Sequence, residues 1–248
     1  MLVDKKFIFI SLPRCASTSF MITCLKNGIP IEHVNSEYDN QLIKISDWEK
    51  MNNEELADSL IHPHESVYTL QQKFGMNNQI ISIRRNKYNR FLSLWKHIID
   101  ELYRIKNPDI ADIFSKLTTN DIFGNFVAND IYNLESRRKT IDDFLTKLKI
   151  PKSKTLEVES YIRNMLDILF MPIVELTNDN PNIIWFDIEN LGELESWVSN
   201  KLDRDFKMEK INSSKHFNST IIINDDFKQK YDNLFKDFDQ RKVYKTLV

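Results

Sequence analysis

The sequence has few of the residues that mark several common classes of protein. Its 248 residues include two cysteines, Cys15 and Cys24, whose spacing matches no zinc or redox motif, so we expect two reduced thiols. Basic residues number 34 and acidic residues 36, which gives a formal charge of −2 and excludes the strongly basic footprint of a nucleic-acid-binding protein. An anionic ligand would therefore depend on a local cluster of donors.

Glycine is also scarce, with four residues, and long hydrophobic runs are missing. Residues 1–10 combine a charged start with an apolar stretch that is far too short for a signal peptide or a membrane span, so we expect a buried first strand there. Without a transmembrane anchor, the expected location is the cytoplasm. The chain is 42% hydrophobic and 28% charged, as globular proteins are, and no linker or repeat divides it. We therefore expect a single domain over residues 1–248.

Apolar periodicity predicts strands that alternate with helices along the chain. Strands are predicted at residues 7–11, 31–34, 79–83 and 183–186. Helices are predicted at residues 17–27, 47–61, 67–74, 88–104, 153–170, 193–202 and 225–244, with weaker segments in 109–148, the last of them capped by Thr140. This alternation predicts an α/β fold in which helices flank a mainly parallel sheet.

The loop after the strand at residues 7–11 has features of a phosphate-binding loop. Residues 13–19 read Pro-Arg-Cys-Ala-Ser-Thr-Ser and open a predicted helix, whose first N–H groups and dipole attract anions. Arg14 adds a charge that can grip a phosphate, and Ala16 is small enough for the backbone to approach a ligand. Simple helix capping by the hydroxyls, with Arg14 on the surface, is the alternative. The loop lacks Gly-x-x-x-x-Gly-Lys, which disfavours hydrolysis of ATP or GTP.

A second strand-to-helix corner carries a cluster of basic residues. Arg84 and Arg85 directly follow the strand predicted at residues 79–83, and Arg90 and Ser93 lie one helical turn apart on a shared face. Cations at the start of a helix are unfavourable unless an anion lies among them. The cluster is therefore either a phosphate-binding site or, more simply, a group of solvated basic residues.

A His-x-His pair, His62 and His64, lies between the two corners. In an extended segment both side chains point to one face, and imidazole suits a general base because its unperturbed pKa lies near neutrality. A capping or core histidine remains an alternative. A zinc pair is another, although no third ligand is obvious.

These motifs resemble those of sulfotransferases that use PAPS (3′-phosphoadenosine 5′-phosphosulfate). Residues 13–20 are similar to the family's 5′-phosphosulfate loop, Pro-Lys/Arg-x-Gly-Thr/Ser-Thr/Ser, and especially to its form in the uronyl and heparan sulfate 2-O-sulfotransferases. Residues 85–93 resemble the 3′-phosphate motif Arg-Asp-Pro-x-x-Arg-h-h-Ser, where h is apolar. The sequence departs from these patterns at Ala16, where most members have glycine, and at Asn86 and Lys87, which replace Asp-Pro.

The resemblance implies a sulfotransferase fold and transfer of a sulfuryl group from PAPS to a hydroxyl of a carbohydrate, leaving PAP (adenosine 3′,5′-bisphosphate) and needing no metal. It implies that His64 is the general base with assistance from His62, and that Glu65 is the substitute candidate. Arg14 would neutralise the leaving phosphate, and Arg90 would brace the second loop. The residues implied to bind the donor are Arg14, Cys15, Ala16, Ser17, Thr18, Ser19, Arg85, Ser93, Ser214 and Lys215.

Residues 105–180 match nothing in this family, and we expect them to form the acceptor pocket. We expect no nucleic-acid or membrane partner. Two other functions remain open. One is a nucleotide-binding module whose histidines are structural. The other is a P-loop kinase for a small molecule, which the missing Walker lysine and the lack of an evident acidic motif for Mg²⁺ disfavour.

Overall fold

A computed structural model describes residues 1–34, 64–104, 107–150, 156–209 and 219–235. In chain order, its elements are β1 Leu2–Val3, β2 Phe7–Ile10, α1 Ser17–Lys26, β3 Ile31–Glu32, α2 Val67–Phe74, β4 Gln79–Arg84, α3 Lys87–Arg104, α4 Pro108–Lys116, α5 Thr119–Phe123, α6 Ala128–Ile131, α7 Leu134–Lys147, α8 Leu156–Phe170, α9 Val174–Thr177, β5 Ile183–Asp187, a 3₁₀ turn Ile188–Asn190, α10 Leu191–Leu202 and α11 Asp225–Leu234. The helix predicted at residues 47–61 lies outside the described residues.

Contacts divide the chain into two compact units. The first comprises Met1–Arg85 with Ile173–Ser213, and the second comprises Asn86–Pro172 with Ser214–Val248. The single domain expected from the sequence stays a prediction. In the part of the chain that the structure describes, no helix has both the length and the apolar character needed to cross a membrane.

The first unit contains a five-stranded mixed sheet in the order β3-β1-β2-β4-β5. Strands β2, β4 and β5 are parallel, with Ile8 opposite Ile80 and Ile81 opposite Ile184. Their interior positions are apolar except for the buried Ser82 of β4, as is usual for parallel strands covered on both faces. The α/β class predicted from the sequence is therefore confirmed, with helices flanking the sheet.

The N-terminal edge of the sheet differs from the prediction of one first strand in a mainly parallel sheet. The first ten residues form two strands, and β1 pairs antiparallel with both β2 and β3. Asp4 and Lys5 have φ of 46° and 54°, and the Lys6 amide donates to the Val3 carbonyl at 2.9 Å. Positive φ at both central residues gives the twist that hairpin turns require. The charged Asp-Lys-Lys segment is therefore a turn.

Aromatic side chains on one face of β2 pack against the helices of the same unit. Phe9 stacks on Phe20 of α1 with 4.0 Å between ring centroids, and Phe7 meets Trp197 of α10 edge to face at 5.1 Å. Alternate residues of a strand point to the same face, so both contacts hold one side of β2. This packing holds β2 against α1 and α10.

The second unit is helical and packs around an aromatic cluster. Phe91 of α3 lies 5.2 Å from Phe123, 5.8 Å from Phe227 and 5.9 Å from Phe170, measured between ring centroids. Helix α3 was predicted at residues 88–104, and its buried stripe confirms the amphipathic pattern.

The predicted N-cap at Thr140 is wrong. Helix α7 begins at Leu134, and the Asn133 side chain caps it by accepting a hydrogen bond from the Ser136 amide at 2.9 Å. Thr140 lies inside the helix, where its hydroxyl donates to the Ser136 carbonyl at 3.0 Å. Asparagine and threonine both cap helices well, so composition alone does not choose between them.

A buried ion pair joins α7 to α8. The Arg137 side chain is 1% exposed, its Nε lies 2.6 Å from Asp167 Oδ1, and its Nη1 donates to the Ile131 carbonyl at 2.6 Å. The guanidinium is thus satisfied by a carboxylate and a backbone oxygen at once. Removing either partner would leave charge in the interior.

We predict that Asp167→Ala lowers the free energy of unfolding by about 3 kcal/mol, near the lower end of the range for a broken buried pair because Asp167 is partly exposed. Arg138→Ala is the matched control, since this exposed neighbour lies 3.7 Å from the same carboxylate and should cost about 0–1 kcal/mol. Urea unfolding measures both. Equal losses would contradict a special role for the buried arginine.

Candidate functional site

The loop between β2 and α1 has an unusual backbone. Arg14 and Ala16 have φ of 60° and 59°, so two residues with side chains adopt the left-handed conformation that glycine prefers. Cys15 between them does not. Alternation of left-handed and right-handed residues is typical of anion-binding nests. The middle amide is used within the loop, because the Cys15 N–H donates to the Leu12 carbonyl at 3.3 Å.

The start of α1 adds donors to this loop. Ala16 is the N-cap residue, and among the described residues no side chain caps the helix. Arg14, Ala16, Thr18 and Ser19 are all partly exposed. The first-turn amides therefore face the outer side of the loop at the positive end of the helix dipole.

Two predicted donor-binding residues point inward instead. The buried Ser17 hydroxyl donates to the Leu12 carbonyl at 2.8 Å, and the buried Cys15 Sγ donates to the Pro13 carbonyl at 3.6 Å. Both side chains thus hold the loop in shape. A role for these two residues in donor binding stays a prediction.

Two neighbouring arginines at the end of β4 contact different partners. Arg84 forms a two-pronged ion pair with Asp187 at the end of β5, with 2.6 Å from Nε to Oδ1 and 3.1 Å from Nη2 to Oδ2. The hydrogen bond from Arg84 lowers the pKa of the Asp187 carboxyl below its ordinary value of 3.8, so the pair is ionised at neutral pH. Arg85 instead reaches the first loop, where its Nη1 donates to the Arg14 carbonyl at 3.5 Å.

His64 lies beside the end of β2. Its Nδ1 donates to the Ser11 carbonyl at 2.8 Å, and Ser11 directly follows β2. A neutral imidazole that donates through Nδ1 carries its lone pair on Nε2. This tautomer is the one that a general base held by a backbone carbonyl requires.

Glu65, the substitute candidate for the base, is engaged elsewhere. Its Oε1 accepts a hydrogen bond from the Val34 amide at 2.7 Å, and its Oε2 lies 3.6 Å from the Met1 ammonium group. These contacts favour a structural role for Glu65 and leave His64 as the stronger candidate.

The roles of the other predicted site residues stay predictions. His62, Ser214 and Lys215 lie outside the described residues. Ser93 and Arg90 belong to α3 in the second unit, and their roles stay predictions. Asp187 was missed because the predicted strand stops at residue 186. The signal that could have found it is its place at the carboxyl end of a parallel strand, where α/β proteins build their sites.

A polar groove of about 340 Å³ lies between α7 and α8 in the second unit, within the region expected to hold the acceptor. Its charged walls pair with one another. Arg163 lies 2.8 Å from both Asp142 and Glu159. Within the described ranges, no group of three or more histidine, cysteine or acidic residues could hold a metal ion.

Comparison with known proteins identifies no relative, because no protein family, curated protein or solved structure matches this chain.

We predict that Ala16→Gly raises the free energy of unfolding by about 0.5–1 kcal/mol, because relief of the left-handed strain exceeds the backbone entropy that glycine loses on folding. Ala111→Gly, in the interior of α4, is the control with the opposite sign and should destabilise by at least about 1 kcal/mol. Denaturant unfolding compares the two. A destabilised Ala16→Gly variant would show that Ala16 is not strained.

Proposed function

We propose that this chain is a PAPS-dependent sulfotransferase that moves a sulfuryl group to a hydroxyl of a carbohydrate acceptor. The observation that carries the proposal is the contact of Arg85 with the Arg14 carbonyl, 3.5 Å long, which joins two loops that are far apart in the sequence. At this length the hydrogen bond is weak. Its significance is that two candidate phosphate-binding segments meet at one edge of the sheet.

The residues of the first loop fit a phosphosulfate group. The first amides of α1 supply N–H donors, and Arg14 supplies a fixed positive charge. When bound, PAPS supplies the activated sulfuryl group. Arg14 and the amides would then stabilise the negative charge that grows on the bridging phosphate oxygen during transfer. Arg85, with Ser93 as predicted from the sequence, would bind the 3′-phosphate.

His64 would accept the proton of the acceptor hydroxyl through Nε2. Its Nδ1 bond to the Ser11 carbonyl fixes the tautomer and the orientation of the ring. A backbone carbonyl holds this ring without adding a negative charge beside the incoming anionic donor. The arrangement therefore supplies a base next to the loop that would hold the sulfuryl group.

The proposal predicts selective binding of PAP. PAP should raise the thermal midpoint, whereas AMP and ATP with Mg²⁺ should have little effect, because neither carries a 3′-phosphate. Arg85→Ala should weaken PAP binding by about tenfold or more and spare adenosine 5′-phosphosulfate, given the usual strength of a charged hydrogen bond.

Arg84→Ala is the matched control for this experiment. Its partner is Asp187, so it should lower the stability of the protein without PAP but leave the affinity for PAP near that of the wild type. The proposal fails if ATP stabilises the protein as well as PAP does. It also fails if the two arginine variants lose PAP affinity equally.

We predict that His64→Asn lowers sulfuryl transfer by about 10²–10⁴-fold with little change in PAP affinity. The asparagine amide can still donate to the Ser11 carbonyl, so the variant removes the base and keeps the structural bond. Transfer from ³⁵S-labelled PAPS to a library of carbohydrate acceptors measures the effect. Glu65→Gln is the comparison variant, and a larger loss of transfer there than in His64→Asn would assign the base to Glu65.

A further inference from the structure

The backbone that leaves β2 is held by side chains from three separate segments of the chain. The carbonyls of residues 10–12 are successive, and each of them accepts a side-chain hydrogen bond. In chain order, the donors are the Ser82 hydroxyl of β4 at 2.9 Å, His64 Nδ1 at 2.8 Å and the Ser17 hydroxyl of α1 at 2.8 Å. All three lengths are in the usual range for hydrogen bonds. The three carbonyl directions are thus fixed where the strand becomes a loop.

The two serine donors are buried polar residues whose hydroxyls have a specific task. Ser82 interrupts a run of isoleucines in a strand that is covered on both faces, and Ser17 is enclosed at the start of α1. Buried hydroxyls are normally hydrogen-bonded, and here the partner of each one is a backbone carbonyl beside the Ser11 carbonyl. The two serines therefore hold the peptide groups on either side of the one that binds His64.

The hydroxyl of Ser11 has no comparable task. It is buried, and its Oγ has no hydrogen-bond partner among the described residues. The contact of this residue with the His64 ring uses the backbone carbonyl alone. The geometry of that contact consequently depends on the orientation of the peptide group between residues 11 and 12, which the two neighbouring carbonyl bonds restrict.

We propose that Ser17 and Ser82 are positioning residues for His64, because they keep the Ser11 carbonyl directed at Nδ1 of the ring. This contact places the proton on Nδ1 and leaves Nε2 as the basic nitrogen. The effect on catalysis rests on the proposed function. The effect on the ring is a property of the protein without any ligand.

The test measures, by ¹⁵N NMR of the full chain, which ring nitrogen of His64 carries the proton at a pH where imidazole is neutral. His64→Asn identifies the His64 signals among those of the five histidines. The wild type should be protonated at Nδ1. Ser17→Ala and Ser82→Ala should each shift the ratio of the two tautomers toward Nε2–H by about two- to tenfold, the equivalent of one hydrogen bond. Ser17→Thr keeps the hydroxyl and should restore the wild-type ratio.

Ser11→Ala is the matched control. It removes a buried hydroxyl from the residue that contacts His64 but leaves the carbonyl in place, so the tautomer ratio should stay that of the wild type. The inference is overturned if Ser11→Ala shifts the ratio as much as the other two variants do, or if neither of those variants shifts it. It is also overturned if His64 of the wild type is protonated at Nε2. Ser17→Ala decides the test if Ser82→Ala does not fold.

Transfer from labelled PAPS measures the catalytic consequence separately. Ser82→Ala should lower kcat by about two- to tenfold and leave KM for PAPS near that of the wild type, because Ser82 supports the base from the side of β4. A tautomer shift in the variants of a protein that transfers no sulfuryl group would support the positioning and count against the proposed function. An active wild type with unshifted variants would overturn the positioning alone.

Discussion

The parallel pairing of β2 with β4 is the constraint on which the candidate site depends. Ile10 lies opposite Ser82, and the Ser82 hydroxyl donates to the Ile10 carbonyl at 2.9 Å, close to where both strands end. The loops that follow neighbouring parallel strands lie at the same edge of the sheet. The pairing therefore determines that Arg14 and Arg85 meet, and no property of either loop alone could achieve this.

Local patterns in the sequence predicted the elements that frame the site. The helix at Val67–Phe74 and its stop at Gly75 follow from apolar spacing and from the positive φ that glycine adopts there. The strand at Gln79–Arg84 follows from its run of isoleucines, which suits a strand buried on both faces. These features depend on near neighbours in the chain, so the sequence displays them directly.

Features that depend on distant partners were not predictable in the same way. Strand β1 is two residues long and has no periodicity of its own, and it is defined by its pairing with β2 and β3. The different roles of Arg84 and Arg85 depend on Asp187, which follows about a hundred positions later in the sequence. The inward hydroxyl of Ser17 likewise depends on how the loop folds back on Leu12. The residue types at these positions are evident from the sequence, but the role of each side chain depends on its tertiary contacts.

The separation of the two arginines has a consequence for the evolution of this protein. Arg84 and Asp187 satisfy each other, so a change at one position should be accompanied by a compensating change at the other in diverging sequences. Arg85 has no such acidic partner in the described contacts, so under the proposed function its variation should follow the ligand that it would bind. Adjacent codons are thus expected to show different substitution patterns, one coupled to a distant carboxylate and the other to the chemistry of a small molecule.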